Sequence, residues 1–243
     1  MKKLIISIAA LAALTLCGGS FAAGDPISTP QALDNAETAT LIYMREEEKL
    51  ARDTYITLYD LWSMRLFDNI QSSEQRHMDA MLRILNLFSI ADAVTSVAVG
   101  MFTDPELATL YSDLTARGAV SQMEALMVGG FIEEMDIRDL RLAITETDEP
   151  ALINSYSNLL AGSRNHLRTF VSHVIALGGS YEAQVLDPLD VEEIVGDFEA
   201  VPGENFRINV GLNDAWYYPP TAGQGFFITV YPDIGKVFRL VHL

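Results

Sequence analysis

Four stretches of the chain repeat apolar residues every three or four positions, and each interrupts its apolar stripe with side chains that ionise. The first runs Leu41, Met44, Glu48, Ala51, Tyr55, Leu58, Trp62, and the second Phe67, Ile70, Glu74, His77, Met81, Ile84, Phe88. The third runs Leu126, Gly130, Glu133, Ile137, Leu140, Ile144, with Asp136 one turn on from Glu133. The fourth runs Leu152, Tyr156, Leu159, Ser163, His166, Phe170, His173, Leu177. Such spacing predicts four amphipathic helices whose apolar faces cover one another. A stripe is buried whole, so Glu48, Glu74, His77, Glu133, Asp136 and His166 are expected to enter the core with it.

Helix starts and stops set the pairing. Asp34 with Glu37 makes a capping-type start to the first helix, and Ser121 with Glu124 opens the third. Only a few residues around Trp62 and Ser63 remain for the first turn, Thr145 to Pro150 breaks the chain again, and Gly178-Gly179 closes the fourth helix. Turns this short force two antiparallel hairpins. Glu48 and Glu74 are equidistant from position 61, and Glu133 with His166, like Asp136 with Ser163, is equidistant from the Glu149-Pro150 break. Each hairpin is thus expected to bring its polar residues to one level. Between the hairpins lies a long connection with a short helix, for which Thr103 and Glu106 bracket Pro105 as a capping box and Gly118 is the end.

Four carboxylates in one core cost on the order of several kcal/mol per ion unless their charge is cancelled, and the stripes hold no Lys or Arg to do so. Two divalent metal ions would cancel it. Glu74-x-x-His77 offers an oxygen and a nitrogen donor from one helix face, as in the di-iron and di-manganese bundles. Carboxylates with imidazoles suit iron, with manganese as the second choice, whereas structural zinc favours thiolates.

The segment Glu48-Lys49-Leu50-Ala51-Arg52-Asp53-Thr54-Tyr55 resembles the first-helix signature of ferritins and rubrerythrins, a Glu followed by Ala at +3 and Tyr at +7. Glu74-Gln75-Arg76-His77 resembles their second-helix motif. From Thr40 to Phe170, with Ile132-Glu133-Glu134-Met135-Asp136 and Gly162-Ser163-Arg164-Asn165-His166, the chain is similar to a ferritin-like family of unknown function made up mostly of exported microbial proteins. The resemblance implies a mainly α fold: an antiparallel four-helix bundle with a long crossover between helices 2 and 3, a dinuclear carboxylate site, and Fe(II) oxidation by O2 or peroxide. One position departs from the pattern. Ser163 stands where a second Glu-x-x-His would begin, so Asp136, or Glu134 as the alternate, is expected to replace the missing carboxylate. The rival reading is a non-catalytic metal-binding or structural module at the cell surface.

The ends of the chain read differently. Lys2 and Lys3, the apolar run Leu4 to Leu16 and the small residues to Ala23 form a secretory signal peptide over residues 1–23, cleaved near Ala22 or Ala23, which predicts a periplasmic or extracellular protein with no transmembrane segment once mature. Cleavage removes Cys17, the one cysteine, and with it any disulfide or iron–sulfur cluster. The bundle is assigned to residues 34–195, closing with a short helix at Asp190 to Val195. Residues 196–243 are assigned to a small β segment, from the alternation in Phe206–Val210 and Phe226–Val230 and the Pro232–Gly235 turn before Lys236–His242. With 33 acidic against 16 basic side chains the chain repels phosphate backbones, which excludes nucleic acid and favours cations as partners. A homo-oligomer is compatible with this pattern.

Overall fold

The computed structural model describes residues 32–196 with their side chains, and the backbones of residues 214–217, 225–228 and 241–242. Six helices occur among the described residues: α1 (Asn35–Trp62), α2 (Arg65–Leu87), α3 (Pro105–Gly118), α4 (Gln122–Thr145), α5 (Pro150–Ala176) and α6 (Pro188–Gly196). The fold is mainly helical, and the helix ends follow local chemistry. Asp34 accepts the N–H groups of Ala36 and Glu37 while Glu37 accepts that of Asp34, a complete capping box. Ser121 accepts from the Glu124 N–H to start α4, and Pro150 follows the capping Glu149 at the start of α5. At α3 the cap is Asp104, not Thr103. The residue before a proline is driven to extended backbone, so Asp104, directly before Pro105, takes the cap position and receives the N–H groups of Glu106 and Leu107.

Packing makes α1, α2, α4 and α5 a ring of four. The hairpins α1–α2 and α4–α5 pack intimately, α1 against α4 and α2 against α5 close the ring, and α3 lies over α1 and α4. The first turn is Ser63-Met64, with Ser63 in the left-handed region at φ 52. That lies beyond position 61, and Glu48 meets His77 across the hairpin as well as Glu74.

Each long helix runs through the same three layers. One apolar cluster holds Tyr55 and Leu58 of α1, Phe67 and Ile70 of α2, Leu126 and Val128 of α4, and Phe170 and Val174 of α5. Another holds Leu41 and Met44, Met81 and Leu85, Leu140 and Ala143, and Leu152 and Tyr156 of the same four helices. Between them, on all four, lie Glu48, Glu74, Glu133, Asp136, Ser163 and His166, all buried, with His77 at the margin. Apolar walls on both sides remove competing water, so the intervening layer has a low dielectric.

The middle of α1 is not amphipathic in this fold, because every residue from Met44 to Tyr55 is buried. Its outer face is covered by residues 88–104 and by α3, and the covering segment supplies partners to several of the charges it buries. Arg45 pairs with Asp92, Lys49 with Asp53 and the Ala98 carbonyl, and Arg52 with Asp53, Gln75 and the Val97 carbonyl. The Glu46 carboxylate accepts from the N–H groups of Thr103 and Asp104. At the C-terminal end three short strands, β1 (Asp214–Tyr217), β2 (Gly225–Ile228) and β3 (Val241–His242), pair antiparallel in the order β1-β2-β3, with Trp216 opposite Phe226 and Phe226 opposite His242. The expected strand Phe206–Val210 and residues 1–23 lie outside the described residues.

Candidate metal centre

A carboxylate stays ionised in an apolar layer only if something nearby carries the opposite charge. In the middle layer the two imidazoles take that role. His77 Nδ1 lies 2.7 Å from Glu74 Oε2 and 3.1 Å from Glu48 Oε2. His166 Nδ1 lies 2.8 Å from Glu74 Oε1 and 3.4 Å from Glu133 Oε2. The two rings stack with centroids 5.7 Å apart. Two three-donor groups result, Glu48 with Glu74 and His77, and Glu74 with Glu133 and His166, and within each the donor atoms lie within 4.8 Å of one another. Glu74 belongs to both and offers a different oxygen to each.

Asp136 is in the same layer but in neither group. It is 1% exposed, and neither carboxylate oxygen has a hydrogen-bond donor among the described residues. Ser163, one turn before His166, donates its hydroxyl to the Leu159 carbonyl and faces no ligand. Glu134 is turned elsewhere. About 100° around α4 from Glu133, its carboxylate accepts the Tyr181 hydroxyl at 2.6 Å and the N–H groups of Gln184, Val185 and Leu186 at 2.7–2.9 Å, stapling the segment after α5 to α4.

The electrostatics show what the cluster must do without metal. Burial pushes Glu48 up to about 7 against the pull of His77, and Glu133 up to about 7 against that of His166. Asp136 is driven well above the usual carboxylate range by burial and then by repulsion from Glu47, Glu48, Glu133 and Glu74. Glu74 goes the other way: burial would raise it, but His166 and His77 hold it far below its ordinary value. For His77 burial is opposed by Glu74 and Glu48, which bring the ring to about 10. Without metal, then, the layer approaches neutrality by holding protons. Divalent cations would cancel these carboxylates with no protons at all, so this donor set fits metal ions.

Tyr55 completes the site. Its hydroxyl donates to Glu133 Oε1 at 2.6 Å, and its ring packs on Phe67 and Phe170 at centroid distances of 5.9 and 5.3 Å. Its place on the first stripe puts it within reach of the ligands, where its hydroxyl could either bond one of them or stay in the core, and the structure gives it Glu133. Tyr156, also on a stripe, is buried in the other apolar cluster with its hydroxyl away from the ligands. His173 turns Nδ1 to the Thr169 carbonyl at 2.8 Å, outside the cluster. Glu47 and Asp139 went unread in the sequence. Glu47 is buried beside Glu48 on α1, and Asp139 on α4 is its neighbour.

Fold and site together define a helical protein with buried Glu/His groups able to bind metal ions. The chain belongs to the family described as "Uncharacterized protein domain (DUF2202)", which matches residues 37–197. It is 43% identical over 165 residues to the uncharacterized protein MJ0754 of Methanocaldococcus jannaschii, covering 68% of this chain and 89% of that protein. The crystal structure of that hypothetical protein superimposes with a TM-score of 0.67, covering 68% of this chain and 95% of the other. No helix among the described residues is long and apolar enough to cross a membrane.

Proposed function

We propose that the protein is a ferritin-like, exported metal-binding protein that holds two iron ions between its four long helices and oxidises Fe(II) with O2 or peroxide. The observation that carries this reading is Glu74, whose two oxygens lie 2.7 Å from His77 Nδ1 and 2.8 Å from His166 Nδ1, so that it belongs to both donor groups. Glu48 and His77 would hold one ion, Glu133 and His166 the other. Asp136, bare and buried in the same layer, would supply the fourth carboxylate that Ser163 lacks. Two bound ferrous ions would supply the two electrons that, with two protons, reduce one peroxide to two waters.

The chain's own groups do the rest. Tyr55 orients Glu133, and the Tyr55–Phe67–Phe170 stack closes one side of the layer to water. His77, the most exposed of the six ligands, marks the side nearest to solvent. Export over residues 1–23 and a small β segment over residues 196–243 belong to the same proposal. The test is anaerobic Fe(II) titration of the chelator-treated chain with elemental analysis for Fe, Mn and Zn. About two ions per chain are expected from the dinuclear donor set, and less than half an equivalent of every metal overturns the reading.

A further inference from the structure

A cavity of about 360 Å³ opens between α1 and α4, with Tyr43, Met44, Asp139, Leu142 and Glu146 in its lining. From its wall a file of carboxylates leads inward. Asp139 keeps 15% of its side chain exposed, whereas Glu47 and Asp136 are buried at 2% and 1%. Asp136 precedes Asp139 by one turn of α4, and Glu47 precedes the cluster residue Glu48 on α1. Glu47 of α1 and Asp139 of α4 are neighbours, and Tyr43, one turn before Glu47, lines the cavity together with Asp139. Glu47 Oε1 and both oxygens of Asp136 are buried without a hydrogen-bond partner among the described residues.

We propose that Glu47 and Asp139 form an outer station for a hard divalent cation, which passes from the surface cavity by way of Asp136 to the buried Glu/His cluster. The proposal rests on the reading of that cluster as a metal site. Only oxygen donors meet here, so the station would take a cation that keeps much of its water, as carboxylate sites for such ions do. Glu47, Asp136 and Asp139 do not converge as a three-donor group, for among the described residues only the two groups of the inner cluster do so. Two carboxylates and water hold an ion loosely, as a station of passage requires. Arg138 guards it: its guanidinium grips Asp139 through bonds of 2.6 and 2.7 Å, but 52% of its side chain is exposed. An exposed pair of this kind contributes little and yields to a competing cation.

Two probes separate the outer from the inner site. Tb(III), an oxygen-seeking ion excited through tyrosine, reports the station beside Tyr43 when titrated into a Glu74→Gln background that disables the inner cluster. Co(II), whose absorption changes when imidazole binds, reports arrival at the cluster by stopped-flow in the otherwise unaltered chain. The double variant Glu47→Gln/Asp139→Asn should weaken Tb(III) and slow Co(II) uptake, each at least tenfold, with the final amount of Co(II) unchanged. Arg138→Gln should tighten Tb(III) and speed Co(II) uptake, a gain that a misfolded protein cannot imitate, and this arm decides the matter if the double variant fails to fold. Unchanged Tb(III) affinity in these variants overturns the station; weakened Tb(III) with an unchanged Co(II) rate overturns the passage. If the unaltered chain takes up no Co(II), the reading of the inner cluster fails, while Tb(III) still judges the station.

Discussion

Removing metal should invert the way this protein's stability depends on pH. In the metal-free cluster Glu48 and Glu133 stand at about 7 against an ordinary 4.5, and His77 at about 10 against 6.5. A group whose pKa is higher in the folded than in the unfolded chain stabilises the fold fully below its unfolded value, and that contribution is lost as pH rises through the folded one. For the two glutamates the loss falls between about 4.5 and 7, and for His77 it begins near 6.5 and continues to about 10. Glu74, depressed, contributes above its ordinary value and changes nothing over this range. Each raised carboxyl corresponds to about 3 kcal/mol. Since the cluster titrates as a unit, the total from pH 5 to 8 is nearer to one such contribution than to two. For a chain of this size that lowers Tm by about 6–12 °C.

Metal binding displaces the protons, so saturating Fe(II) or Mn(II) should stabilise the fold more at pH 8 than at pH 5. Calorimetric melts with and without metal across that range make the test. Glu48→Gln should remove about half of the metal-free slope, whereas Asp148→Asn, on the exposed surface, controls for net charge. A metal-free Tm that is flat or rises from pH 5 to 8 would refute the reasoning.

His77→Ala should abolish most metal binding at unchanged helical content by circular dichroism; unchanged affinity would place the donors on another face. Asp136→Asn should raise metal-free stability by about 1 kcal/mol or more, as a buried repulsion is removed, yet weaken the second ion at least tenfold in a metal titration. Glu134→Gln should cost about 2–3 kcal/mol in urea denaturation through weakened charge-assisted bonds to the 184–186 amides, with metal content unaltered. Gly129→Ala would set a Cβ 2.2 Å from the Phe170 ring; the overpacking should cost about 1–3 kcal/mol, read by the same denaturation.

The middle layer was legible in the sequence because a stripe at helical spacing tells a residue's face without any knowledge of its partners, and six ionisable side chains fell on such faces. Heights across a hairpin depend on where its turn lies, which spacing alone fixes less well: placing the turn at Ser63-Met64 matches Glu48 with His77. The covering of α1 was not legible in its stripe. A run of charges from Arg45 to Asp53 reads as a solvated face, and its burial depends on residues 88–104, whose backbone donors and carbonyls match those charges without any periodic signal of their own. Their contribution is a set of single hydrogen bonds, and single bonds leave no pattern in one sequence.

Three consecutive glutamates on α1 show what remains to be read from such a run. Successive helix residues point about 100° apart, so Glu46, Glu47 and Glu48 cannot share a role even though they are chemically identical. Glu46 faces the crossover and takes the N–H groups of Thr103 and Asp104. Glu47 faces Asp139, beneath the surface cavity. Glu48 faces His77, within the cluster. Helix α4 divides its acids in the same way, Glu133 toward His166 and Glu134 toward the 184–186 amides. Of these five acids, Glu46 is satisfied by backbone donors, Glu134 by backbone donors and the Tyr181 hydroxyl, Glu48 pairs with the His77 imidazole, and Glu133 accepts the Tyr55 hydroxyl beside His166. Glu47 faces Asp139 and keeps one oxygen bare. Unlike the other four it has neither a backbone donor nor an imidazole beside it among the described residues, and a passing cation is the partner that would balance it.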